Sequence, residues 1–168
     1  RGGGLYFEGD QGKLEMERTS LKSNQAQEGS SLWVQLPSDL IIPLDSQDSF
    51  TPLTETESNI IFKEVTFEDH APLGWTEWLV SQQNLAELGR FDALTSQSYA
   101  LYLEGKVTWE KGSITRHQGM GGGFVVVGQW NLKRLISRLN LGLSKWGGGG
   151  SFFGQGFLES SQFTHNQC

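Results

Sequence analysis

The chain has 168 residues, 36% of them apolar, with 22 glycines, which fits one domain with a modest core. A single cysteine, Cys168, excludes an intramolecular disulfide framework and a multi-cysteine zinc site, and no apolar run approaches the ~18 residues needed to span a bilayer. The net charge of −6 conceals a split: residues 1–110 carry 18 acids and 7 bases, residues 111–168 carry 6 bases and one acid, Glu159.

Residues 1–30 are polar and glycine-containing without a sustained period, which predicts a flexible N-terminal arm. Their start, "RGGGLYFEGD", is not the basic start followed by an apolar block of a secretory leader. "GGLYFEG" resembles a potyviral protease site but departs from it at both specificity positions, with Gly3 and Glu8. "SLWVQLP" (31–37) alternates Leu32, Val34 and Leu36 and reads as a short strand stopped by Pro37. Residues 38–58 follow as an acidic surface connection, in which Asp45, Asp48, Glu55 and Glu57 lack the spacing of a calcium loop.

"NIIFKEVTF" (59–67) reads as a strand with Ile61, Lys63, Val65 and Phe67 on one face and Ile60, Phe62 and Glu64 on the other. From Trp75 to Phe91 apolar residues recur at three or four, predicting a helix near 74–94. "VTFEDHAPLGWTEWLV" resembles a finger strand of transforming-growth-factor-type ligands, whose cystine knot one cysteine cannot supply. "YALYL-EG-KVTWE-KG-SITRH" predicts a β-meander with two tight turns, placing Ala100, Tyr102, Val107, Trp109 and Ile114 on the core side. "FVVVGQW" (124–130) predicts a central strand, and Leu132, Leu135, Ile136 and Leu139 then predict an amphipathic helix near 131–141. Residues 147–168 read as a Gly/Phe-rich tail.

The expected fold class is therefore α+β or mainly β. An antiparallel meander packs with one or two helices over residues 31–146, between extended N- and C-terminal arms.

No catalytic constellation emerges. The glycines around Gly121 precede a strand and lack dinucleotide-loop spacing, and there is no Walker loop or nucleophile elbow. His70, His117 and His165 are far apart in sequence; "FEDH" (67–70) sets two carboxylates beside His70 without a nameable partner. These features point away from an enzyme and imply no cofactor and no metal.

Two sets of side chains stand out. Lys133, Arg134, Arg138 and Lys145, flanked by Trp130 and Trp146, make a basic segment suited to anions, a membrane or nucleic acid. Phe152, Phe153, Phe157 and Phe163 are candidate assembly contacts. The leading expectation is a structural subunit, of virus-particle type for instance, tied to other protein subunits by extended arms. The alternatives are a membrane- or nucleic-acid-binding module using 131–146, and an enzyme whose site the sequence does not display. The sequence leaves localisation open.

Overall fold

A computed structural model describes residues 4–26, 31–36, 51–72, 100–119, 123–142 and 148–167. Among these residues all regular structure is strand. The first stretch holds β1 (Leu5–Glu8), β2 (Leu14–Glu17), β3 (Ser20–Lys22) and β4 (Gln25–Ala26). The second holds β5 (Leu32–Gln35), β6 (Ile60–Glu68) and β7 (Ala71–Pro72). Then come β8 (Leu101–Thr115) with β9 (Gln118–Gly119), β10 (Phe124–Arg138) with β11 (Leu141–Gly142), and β12 (Ser151–Glu159) with β13 (Gln162–Thr164).

Each stretch lies alongside the next in parallel, residue for residue. Leu5 faces Leu32, Leu32 faces Leu101, and Leu101 faces Phe124. Leu14 faces Ile60, Ile60 faces Val107, Val107 faces Trp130, and Trp130 faces Gly156. A nine-stranded parallel sheet therefore curls into a half-barrel, and the short pairs β4–β7 and β9–β11 continue the stack. The described stretches wind into five stacked coils, a β-solenoid.

Parallel strands wound this way enclose their inner faces, so inward positions must be apolar. They line up in columns. One runs Met16, Phe62, Trp109, Leu132, Leu158; another runs Leu21, Phe67, Ile114, Ser137, Phe163. In the three middle coils every member of both columns is fully buried. Around Trp109 the rings of Phe62, Phe67 and Phe124 stand edge-on with centroids 5.5, 5.7 and 6.2 Å away, an arrangement that adds about 0.5–1.5 kcal/mol per pair beyond burial.

Two corners recur in every coil. Arg18, Glu64, Lys111, Arg134 and Ser160 all have positive φ, and so do Ser23, Asp69, Arg116, Leu139 and His165. Each such residue spends a position on turning the chain, so the inward pattern reads in, out, corner, in. A left-handed L-residue costs about 1–2 kcal/mol, so the stacking on either side must hold ten of these in place. A third bend falls on Gly105, Gly128 and Gly154, which are aligned with one another and have φ of 150, 119 and 109.

Inside the second corner runs a polar column: Asn24, His70, His117, Asn140, Asn166. The backbone N–H of Asn24 donates to His70 Nδ1 at 3.1 Å. The N–H of His117 donates to Asn140 Oδ1 at 2.9 Å, and that of Asn140 to Asn166 Oδ1 at 3.0 Å. Asn140 Nδ2 also reaches the Ile114 carbonyl at 3.1 Å and Ser137 Oγ at 3.0 Å. Amide side chains stacked coil on coil thus satisfy the backbone groups that the turn leaves unpaired.

Several expectations are corrected. The sheet is parallel, not an antiparallel meander: residues 101–115 form one continuous strand bent at Gly105 and Lys111. Residues 131–138 are strand within β10, not an amphipathic helix. The expected helix near 74–94 lies outside the described residues. The expected arms are wound into the stack: residues 5–26 supply the first coil, and β12 and β13 the last. Over residues 59–67 the corner at Glu64 switches the faces, so Ile60, Phe62, Val65 and Phe67 are all buried together.

Candidate assembly surface at the coil ends

The inward columns are sealed where a coil lies above and below, and they emerge where one side is uncovered. Leu158 is 45% exposed and Phe163 37%, while Trp109 and Ile114, in the same two columns, are 0% exposed. At the other end Leu5 is 38% exposed, against 0% for Leu32 directly behind it. Among the described residues, the apolar surface at each end is thus core without a neighbouring coil. Fully burying one such side chain contributes about 1.5–3 kcal/mol.

The four phenylalanines divide between two faces. Phe152 and Phe163 point inward and pack on Phe124 with ring centroids 5.3 and 6.3 Å away. Phe153 lies on the outward face and is 42% exposed. Phe157 is half-buried beside Asn131. The sequence does not display this division, because several of their neighbours in space come from another coil, Phe124 for instance, 28 residues before Phe152.

The basic set is distributed differently from the expected helical face. Trp130 is half-buried against the core and Phe152, centroids 5.1 Å apart. Lys133 pairs with Glu159 at 3.2 Å, and Arg134 with Glu110 at 3.6 Å. Arg138 is exposed on the outer side of β10. Lys145 and Trp146 lie outside the described residues. Charges alternate down the column Glu17, Lys63, Glu110, Lys133, Glu159, so the basic second half is stacked on the acidic first half instead of forming a separate patch.

The "FEDH" carboxylates face away from their histidine. Arg116, on the next coil, holds Asp69 at 2.6 Å and also pairs with Glu68, which takes Lys22 at 2.7 Å. These contacts keep both carboxyls below their usual range, Lys22 and then Arg116 acting on Glu68 and Arg116 acting on Asp69. His70 points inward, where burial lowers its pKa, opposed by its bonds to Leu21 and Asn24. Its Nδ1 accepts from the Asn24 N–H, and its Nε2 lies 3.0 Å from the Glu68 backbone nitrogen and 3.1 Å from the Leu21 carbonyl oxygen. Glu55 and Glu57 serve local structure, Glu55 on Lys63 at 2.6 Å and Glu57 on the Thr54 N–H at 3.0 Å. Asp45 and Asp48 lie outside the described residues. No group of three metal-ligating side chains gathers among the described residues.

No protein-family model matches the chain, and no curated protein or solved structure is similar to it.

Proposed function

We propose that the protein is a structural subunit that joins a larger assembly through the ends of its solenoid. The observation that supports this is the exposure of inward-column residues, Leu5 at one end and Leu158 and Phe163 at the other, whose counterparts in the middle coils are completely buried. Such an end presents both an apolar surface and a row of strand-edge amides and carbonyls, the two ingredients of strand-on-strand association. Joining through coil ends replaces the extended arms expected from sequence. Size-exclusion chromatography with light scattering tests the reading. A mass above that of the monomer, reduced by Leu158→Lys, supports it; a clean monomer at every concentration contradicts it.

A further inference from the structure

Resting on that reading, we infer that the occupant of each open end is a second copy of this chain, stacked head to tail so that the first coil of one copy lies on the last coil of the next. Internal stacking is parallel at every step, so a head-to-tail contact repeats the operation that already relates neighbouring coils, with every column kept in register. A tail-to-tail contact would set the strands antiparallel and break the columns.

Three features of the two ends fit each other. Gly150 and Gly156 lie in the columns of Leu5 and Leu14. Both lack side chains there: a Cβ on Gly150 would press on the Phe124 ring at 2.5 Å, and one on Gly156 on Trp130. On the free side the two glycines present bare backbone, on which the leucines of the next copy would lie. Asn24 would follow Asn166 as Asn166 follows Asn140, continuing the amide column. Arg18 would stand over Glu159 across one coil step, the offset at which Arg134 meets Glu110 at 3.6 Å. One pair opposes the contact: Glu17 would face Glu159, and Arg18, which lies 3.0 Å from Glu17, sits against both. Because the two surfaces differ, the contact does not close on itself and gives linear chains.

The test blocks one end at a time in the full chain, using Leu5→Lys and Leu158→Lys, both at exposed positions, with circular dichroism as the check of folding. If Leu158→Lys fails to fold, Phe163→Lys, at the other exposed apolar position of the same end, takes its place. Head-to-tail stacking predicts that the wild type grows in mass with concentration without a fixed limit. Each variant alone stays monomeric, and an equimolar mixture forms a species of twice the monomer mass. A mixture that remains monomeric overturns the inference, as does self-association of Leu5→Lys alone into a closed dimer; both leave the assembly reading standing. A wild type that is monomeric throughout overturns both.

Discussion

Trp109 and Gly112 share one space: a Cβ on Gly112 would press into the Trp109 indole and stand 2.5 Å from the Val65 carbonyl oxygen of the coil above. The largest fully buried side chain in the solenoid is thus accommodated by removing one three positions away on the same coil.

Gly112→Ala therefore overpacks the third coil. Its φ is not in the left-handed region, so the cost comes from crowding and amounts to about 1–3 kcal/mol. A denaturant midpoint measures it. A midpoint unchanged by Gly112→Ala would contradict the packing of these coils.

Asn140 holds the centre of the lower amide column. Asn140→Ala removes the acceptor for the buried His117 N–H and the donor to the Ile114 carbonyl. Stranding a buried backbone group costs about 1–3 kcal/mol, so this change at a buried polar position should destabilise as much as a core truncation. Hydrogen exchange gives a second readout, with faster exchange at His117.

The same column makes stability depend on pH. Burial keeps His70 neutral, with a pKa below its ordinary 6.5. The unfolded chain then binds more protons than the folded one as pH drops below that value, so stability falls. His70→Asn, which continues the amide column, should flatten the stability profile just below about pH 6.5. That window lies above the range in which Glu68 and Asp69, held down by Lys22 and Arg116, begin to lose their charge. An identical slope in both proteins would contradict this role for His70.

What the sequence displays of this fold is local. The β-prone runs at 32–35, 60–68 and 124–130 are strand, because alternation survives between corners. The helix reading of Leu132, Leu135, Ile136 and Leu139 arises from the corners themselves. Arg134 takes a position without alternating, so Leu132 and Leu135 both face inward at a spacing of three, while Ile136 and Leu139 are exposed. Arginine, glutamate or lysine at a left-handed corner carries no signal of its own, since that conformation ordinarily favours glycine or asparagine.

The repeat was partly visible. "GLYFEG" (4–9) and "ALYLEG" (100–105) share Leu, Tyr, Glu and Gly at corresponding positions, and both open a coil. The long second coil and residues 73–99 separate the two copies, and no fixed period survives across them. His70 and His117, far apart in sequence, occupy adjacent coils of one column for the same reason. The candidate assembly residues could be named from sequence because phenylalanines among glycines are conspicuous. Which of them face inward depended on the register, which only the stacked coils supply.

The stacking of both ends of the chain is tested most directly by a distance between them. Arg18 and Ser160 occupy one exposed corner column in the first and last coils. With Cys168 replaced by Ser, spin labels at these two positions should lie about 19 Å apart, four strand spacings of about 4.8 Å, in a narrow distribution. A broad distribution at longer distance would mean that the ends are arms after all, and would contradict the solenoid.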